Sequence, residues 1–543
     1  MTMKIRGFIK PEILLYLSFI LFSSFLMWKT FRVNSGGNMQ IATKVWSDFS
    51  ATIPLIRSFS LGSNIPPQYP LFAGPPIRYH FIFFALVGYL EKVGMRIDYA
   101  LNILSSFSFT FLLTMIYLLG KEIFKDKKVG LFAVILFIFN GSFGFVEFFK
   151  THPLSIETPN QILKNLTFSS FGPYDGKVVS AFWSMNIFTN QRHLAFAYAS
   201  FLLLVYLIYK YSRDPDKFNL VKTLSLGIFI GIFPFIHLAV FGMMCIALLT
   251  MFIIYPKLRI NILIIGLTAL IIAIPQYLYM GSAQVKPDFF NPGYLVKPLT
   301  LDNFFRYWFF NLGLGLIILP IGLLISNRTQ RKIFIPFLLM FLVGNSFQFS
   351  PEIAANHKFF NLFALGANFY ISLVLVTLWG KKWLAKLFVV SAFIPLTLTG
   401  VIDIFPIIND PLIEIADVAN NPTSSFIQKN TSKESVFLNA NYLLDPASLA
   451  GRNTYLGWPY FAWSAGYDTT ARDQKLRSFF TLKDKVSACK FLKAEKINFI
   501  EIQEPYGIDN MNVDYVFFDA NFISVFINQK NKLKIFDVDK SCK

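Results

Sequence analysis

Residues 223–254 read TLSLGIFIGIFPFIHLAVFGMMCIALLTMFII, and this apolar run determines how the whole chain is threaded. It is 32 residues long, whereas a single helix needs only about 20 residues to cross a bilayer core. Pro234 lies near its middle, where a proline interrupts the helical hydrogen bonds. The run therefore predicts two short helices that form a hairpin, rather than one crossing.

The composition places most of the chain in the membrane. Of the 543 residues, 54% are hydrophobic and 15% are charged, while soluble domains carry about 25% charged residues. Run 79–93 is apolar but short, so it is either a juxtamembrane helix or a partly inserted one. The other apolar runs have the length of single spans: 12–28, 101–119, 129–149, 193–209, 260–280, 306–325, 333–349, 359–378 and 386–404. Together with the hairpin they predict an all-α polytopic membrane bundle of about eleven transmembrane helices.

Basic residues in the short connecting loops predict the orientation. Cytoplasmic loops of membrane proteins are enriched in Lys and Arg. If the hairpin is counted as two spans, all the basic loops lie on the same side of the membrane. If it is counted as one span, the basic loops that follow it lie on the opposite side from those before it. We therefore expect a multi-pass protein of the cell membrane with a cytoplasmic N-terminus and an extracytoplasmic C-terminal domain. The basic loops lie at 121–128, 210–222, 257–259, 328–332 and 381–386. The larger outward connections are 30–100, 150–192, 281–305 and 350–358.

The last part of the chain differs from the rest. Residues 406–543 hold 16 basic and 16 acidic residues, which leaves 34 of the 50 basic and 15 of the 31 acidic residues in the first 405. Short β-type runs alternate there with helical patterns, which predicts a small extracytoplasmic α/β domain after a membrane domain of residues 1–405. Cys489 and Cys542 lie in it, and the sequence leaves open whether they pair.

Polar residues that could carry chemistry collect at the outward ends of the spans. Polar groups at membrane depth are costly, so they indicate function. All five histidines fall there, and two of them adjoin a cation: Arg192-His193 and His357-Lys358. The first outward loop is the densest region, with Lys44-Val-Trp-Ser-Asp48-Phe followed by Gly74-Pro-Pro-Ile-Arg78-Tyr-His80.

The stretch 44–150 resembles the first loop and following spans of the GT-C superfamily of integral-membrane glycosyltransferases. Asp48, Gly74-Pro-Pro, Tyr79-His80 and the span from Asn102 to Lys121-Glu-Ile-Phe occupy the places of that superfamily's motifs. Segment 451–472 is similar to a bacterial branch with an outward C-terminal domain. One departure concerns metal binding. Many relatives have a second acid in the first loop, whereas Phe49 follows Asp48 here, so the sequence assigns no metal ligand.

The resemblance implies that a sugar is transferred from a polyprenyl-phosphate donor to an acceptor hydroxyl at the extracytoplasmic face. The acceptor would be a saccharide, lipid or protein, and nucleic acid is not expected. Asp48 is the expected catalytic base, because an acceptor hydroxyl needs a base beside the reacting carbon. No cofactor is required by the sequence, although a divalent metal is compatible with it. The residues expected to bind the substrate or lipid phosphate are Arg78, His80, Arg192, His193, His237, His357 and Lys358. Glu147 and Asp175 are the candidates for a second acid.

Three other functions compete with this one. A surface-polysaccharide ligase or polymerase also uses Arg and His on an outward loop, but it normally centres on a large mid-chain loop. A transporter or flippase predicts charged residues within the spans, which are nearly free of them. A non-catalytic membrane assembly protein would work through residues 406–543 and would tolerate alanine at Asp48.

The predicted orientation can be measured with reporters that are active only outside the cytoplasm. A reporter fused after Lys543 should be active and one fused at Lys127 should be inactive, because the two positions lie on opposite sides of the membrane. The reverse pair of results would contradict the orientation and the placement of every candidate site residue.

Overall fold

The computed structural model describes residues 11–170, 178–440, 443–503 and 511–543. The membrane bundle and its connections contain α1 (Pro11–Thr30), α2 (Trp46–Ser60), α3 (Ile82–Lys92), α4 (Ile97–Phe124), α5 (Lys127–Ile138), α6 (Gly144–Thr151), α7 (Thr158–Leu163), α8 (Ser180–Trp183), α9 (Asn186–Asn190), α10 (Leu194–Arg213), α11 (Leu220–Gly231), α12 (Phe233–Ile254), α13 (Arg259–Met280), α14 (Leu301–Leu312), α15 (Gly315–Ile325), α16 (Arg328–Ser346), α17 (His357–Trp379) and α18 (Trp383–Ile408). The final segment contains α19 (Pro422–Asn430), α20 (Pro446–Leu449), α21 (Pro459–Ser464), α22 (Thr470–Phe480), α23 (Lys485–Ala494), α24 (Tyr515–Asn521) and α25 (Val538–Ser541). The strands are β1 (Phe31–Val33), β2 (Met39–Ala42), β3 (Leu412–Ile415), β4 (Val436–Asn439), β5 (Asn453–Thr454), β6 (Phe499–Gln503), β7 (Ile523–Asn528) and β8 (Leu533–Asp537).

The predicted all-α membrane bundle is confirmed, but with fewer full-length spans. Among the described residues, seven helices are long and apolar enough to cross a membrane, or eight if the pair α14 and α15, bent by 83°, counts as one. The sequence predicts eleven. Helices α5 and α11 have only 12 residues each, and α16 begins with three basic residues in its first five, so its apolar part is short. Run 79–93 forms α3, whose 11 residues are too few to cross.

The hairpin predicted from Pro234 is present. A Cβ atom added at Gly227 would lie 2.7 Å from Cβ of Thr268, and one added at Gly231 would lie 2.7 Å from Cβ of Ile272. Contacts that advance together along both helices show that α11 and α13 run in the same direction. The chain therefore reverses between the end of α11 and the bend at His237, and α12 runs back in the opposite direction.

The first loop and the final segment meet in one antiparallel sheet. Strands β1, β2 and β3 lie side by side, with Met39 opposite Ile415 and Ala42 opposite Leu412. Because β2 follows α1 and β3 follows α18, both helices finish at the same end of the bundle. We call this the capped end, because residues 406–543 lie over it.

The final segment has the predicted α/β character. Its sheet has the strand order β5-β4-β6-β8-β7, with β4 parallel to both β5 and β6, and β8 antiparallel to its two neighbours. The question left open by the two cysteines is resolved. Cys489 on α23 and Cys542 after α25 form a disulfide, with their Cα atoms 5.4 Å apart.

Ion pairs hold this segment to the first loop. The ammonium group of Lys44 lies 2.8 Å from the Asp410 carboxylate. The buried guanidinium of Arg57 on α2 lies 2.7 Å from Asp417 and 3.2 Å from Glu91 on α3. Charged groups with little solvent exposure need such partners, so these pairs fix α2 in position beneath the final segment.

Candidate active site at the capped end

Five of the candidate residues come together from five separate elements. Asp48 lies in the first turn of α2 and Lys358 in the first turn of α17. His193 precedes α10, His80 precedes α3, and His237 stands at a bend in α12, where the backbone leaves the helical conformation. All five positions are at the capped end, since each lies at a helix start or bend there.

The three imidazoles are in mutual contact. The ring centroids of His80 and His193 are 4.3 Å apart, those of His80 and His237 are 4.6 Å apart, and those of His193 and His237 are 5.2 Å apart. Nε2 of His80 lies 2.6 Å from Nε2 of His193. Among the described residues, these are the His, Cys, Asp or Glu side chains whose donor atoms are close enough to share an ion.

Asp48 and Lys358 are charged groups held close without direct pairing. Both side chains are half-buried, and in the described part of the chain neither takes part in an ion pair or side-chain hydrogen bond. Burial raises the pKa of the Asp48 carboxyl, and the nearby Lys358 ammonium partly offsets that rise. Burial therefore makes the carboxylate a stronger proton acceptor, while the cation favours its ionised form.

The histidines on either side are held neutral. Burial lowers the pKa of His193 to about 3, with a smaller contribution from Lys358. Burial also takes the pKa of His80 well below its usual range, with further lowering by His193, His237 and Lys358. Near pH 7 these rings are neutral imidazoles, which can act as ligands or hydrogen-bond partners but add no positive charge.

Two tyrosines that are not among the predicted site residues lie beside the site. Tyr79 packs on His80 with a centroid distance of 3.8 Å, and burial together with the Asp48 charge raises its pKa. Tyr460 on α21 donates a hydrogen bond to Glu352 at 3.2 Å. Burial, Glu352 and Asp48 raise the pKa of Tyr460 to about 12. The final segment thus reaches the site through α21. Tyr79 adjoins His80 in the sequence, but nothing in the sequence places Tyr460 beside Asp48.

Arg192 has a different setting from its neighbour His193. Its guanidinium group is 1% exposed and donates to the Thr189 carbonyl at 2.7 Å, to Thr30 Oγ1 at 2.9 Å and to Asn102 Oδ1 at 3.1 Å. It also lies over the Phe49 ring, 5.4 Å from the centroid. The group is therefore occupied by protein partners, and it joins α1, α4 and the segment before α10.

Of the remaining candidates in the described chain, Arg78 and Glu147 have partners elsewhere, whereas His357 borders the cluster, next to Lys358 and within electrostatic range of His237. Arg78 donates to the Gly466 carbonyl at 3.3 Å and lies over the Tyr467 ring, so it joins the first loop to the final segment. Nδ1 of His357 is 2.9 Å from Oδ1 of Asn361. Glu147 is paired on α6 with Lys150 at 2.6 Å. Asp175 lies outside the described residues.

Comparisons with known proteins identify the fold. No family model and no curated protein matches the sequence. Among solved structures, the chain is similar to ArnT from Cupriavidus metallidurans in the apo state, with 10% identity, a TM-score of 0.51 and coverage of 97% of this chain and 98% of that one. ArnT bound to undecaprenyl phosphate gives 9% identity and the same TM-score. The oligosaccharyltransferase of Archaeoglobus fulgidus aligns over 96% of this chain and 73% of its own, with 12% identity and a TM-score of 0.44.

The chain has the fold of ArnT. The match to ArnT runs over nearly the whole of both chains, so it includes the bundle and the final segment together. The fold that the motifs around Asp48 predict is therefore confirmed. At 10% identity the match establishes the fold alone, and function has to be argued from the residues at the capped end.

The burial of Arg192 leads to a stability prediction. Arg192→Met should lower the melting temperature of the detergent-solubilised protein, because several buried oxygens lose their donor and each unsatisfied group costs about 1–3 kcal/mol. The matched control is Arg306→Met, an exposed arginine on α14, which should leave the melting temperature unchanged. An unchanged melting temperature in Arg192→Met combined with lost binding of a polyprenyl phosphate would instead make Arg192 the phosphate ligand that the sequence suggests.

Proposed function

We propose that this protein is a membrane glycosyltransferase that transfers a sugar from a polyprenyl-phosphate donor to an acceptor hydroxyl at the extracytoplasmic face. The observation that carries the proposal is the pair of unengaged charges, Asp48 and Lys358, in one enclosed site. Elsewhere at the capped end, charged groups form ion pairs, as Arg57 does with Asp417 and Asp410 does with Lys44. Charges left without partners at a buried site are typical of groups that act on a substrate.

The proposed reaction needs one base and one cation. The acceptor oxygen attacks the sugar carbon that bears the phosphate, a new carbon–oxygen bond forms, and the bond to the phosphate oxygen breaks. Asp48 takes the hydroxyl proton. Lys358 stabilises the negative charge on the departing polyprenyl phosphate, an interaction that is strong where water is scarce. The products are the glycosylated acceptor and the polyprenyl phosphate.

One further observation supports a lipid-linked donor. The solved ArnT structure of the same fold is bound to undecaprenyl phosphate, a lipid of the class that we propose here.

Asp48→Asn tests the base. A positioned base contributes about 10²- to 10⁴-fold to the rate, so the substitution should cost roughly 3–5 kcal/mol of transition-state stabilisation at about 1.36 kcal/mol per tenfold. Folding should survive, because asparagine is nearly isosteric with aspartate. The measurement is sugar transfer by purified, reconstituted protein from polyprenyl-phosphate-linked sugars. Asp302→Asn is the matched control, since Asp302 also lies in the first turn of a helix but is exposed. Transfer within a few-fold of wild type in Asp48→Asn would exclude the proposed role.

Lys358→Met tests the phosphate contact. A hydrogen bond to a charged group contributes about 1.5–3 kcal/mol, so the affinity for polyprenyl phosphate should fall by about 10- to 100-fold. The control is Lys381→Met, which removes an exposed cation just beyond the opposite end of α17. Binding can be measured by titrating a fluorescent polyprenyl phosphate into protein in nanodiscs. Equal affinities for wild type and Lys358→Met would show that this ammonium group does not bind the phosphate.

A further inference from the structure

The cluster of His80, His193 and His237 has the make-up of a metal site. Each ring comes from a different segment of the chain, and one nitrogen from each lies within 4.8 Å of the others. We propose that these three imidazoles bind one transition-metal ion of the zinc class, with an open coordination position. Three histidines and one open position form a set that Zn²⁺ uses in catalytic sites, whereas Mg²⁺ and Ca²⁺ prefer oxygen ligands.

An unsatisfied ring nitrogen supports this assignment. The side chain of His237 is only 1% exposed, and within the described chain its Nε2 is buried without a hydrogen-bond partner. Its Nδ1 accepts from the Val240 N–H at 3.4 Å, so Nε2 is the nitrogen of that ring left for a ligand. A buried polar atom without a partner is costly, which indicates that this nitrogen has something to bind.

The spacing of the rings suits coordination after a small adjustment. Zinc–nitrogen bonds of about 2.0–2.1 Å in a tetrahedral arrangement separate the nitrogens by about 3.4 Å. The Nε2 atoms of His80 and His193 are closer than this, at 2.6 Å, while no pair in the cluster exceeds 4.8 Å. Coordination therefore requires the rings to rotate about their side-chain bonds until the nitrogens are about 3.4 Å apart. His237 lies at the bend in α12, where the chain departs from helical geometry.

The nearest charges to the cluster are those of Lys358 and Asp48. Lys358 acts on all three rings and opposes a bound cation, while the Asp48 carboxylate lies close enough to Lys358 to offset part of that charge. Within the proposed function, on which this step rests, the vacant position would take an oxygen of the donor phosphate. That oxygen carries negative charge as the sugar leaves, so the metal and Lys358 would share its stabilisation.

Cobalt titration of the whole protein tests the site without measuring sugar transfer. Purified protein in nanodiscs is stripped with a chelator and titrated with Co²⁺, whose visible ligand-field bands report nitrogen coordination. We expect saturation at one equivalent and displacement of the bands by Zn²⁺. His237→Ala and His193→Ala should abolish stoichiometric binding. His152→Ala should bind like wild type, because His152 stacks on Phe148 of α6, outside the cluster.

A rescue experiment separates loss of a ligand from loss of folding. His80 is the most exposed of the three histidines, so His80→Gly should leave a gap that free imidazole can enter, restoring the cobalt bands. The proposal is overturned if wild type shows no saturable cobalt bands, or if the three histidine variants bind cobalt as wild type does. Because the readout is metal binding, wild-type sugar transfer in Asp48→Asn would overturn the proposed base and leave this result standing, and an absence of metal binding would leave the proposed transfer standing.

Discussion

The guanidinium group of Arg192 is the contact on which the arrangement of the capped end depends. A cation this deeply buried is tolerated only if its donors are satisfied. Its partners come from α1, from α4 and from the turn before α10, so three helices must meet in one geometry to supply them. The same group covers the ring of Phe49. Since Phe49 adjoins Asp48 and Arg192 adjoins His193, one buried cation positions residues on two sides of the site.

The final segment also fixes the arrangement of the capped end, through its contacts with the first loop. Strand β3 continues the sheet of the first loop, and Asp417 forms an ion pair with the guanidinium group of Arg57. The guanidinium of Arg472 lies 3.6 Å from the centroid of the Phe72 ring and donates to the carbonyl of Ala73 at 2.9 Å. The Pro-rich part of the first loop is thus held from both sides, and Tyr460 reaches the neighbourhood of Asp48. The site belongs to the bundle and the final segment jointly.

The sequence predicted the features that depend on local pattern. The length of the 223–254 run and the position of Pro234 were enough to predict the hairpin, and short β-type runs between helical patterns were enough to predict the α/β character of the final segment. The eleven predicted spans differ from the seven or eight full-length apolar helices of the described chain at α5 and α11, because an apolar run does not reveal where a helix ends inside a packed bundle. Short helices are tolerated inside a bundle because neighbouring helices can satisfy backbone polar groups at their ends, which lipid cannot do.

The site was predictable as a set of residue types but not as a geometry. The sequence identifies Asp48 and Lys358 as polar residues at span ends. It identifies Arg192 in the same way, yet the Arg192 guanidinium group is hydrogen-bonded to other residues of the protein. The direction of a side chain depends on partners far away in the sequence, such as Asn102. His80 and His193 are 113 positions apart, with no spacing motif that would mark them as neighbours.

The pairing of β2 with β3 has a consequence for how the molecule is made. Strand β2 leaves the ribosome soon after the first helix, and its partner β3 follows only after the last one, more than 360 residues later. Until then the first loop has an unpaired strand edge, and the ion pairs of Lys44 with Asp410 and of Arg57 with Asp417 cannot form. A single helix inserted in the wrong sense would leave the two strands on opposite sides of the bilayer. The sheet can therefore close only in a chain whose intervening helices leave both strands on the same side of the membrane.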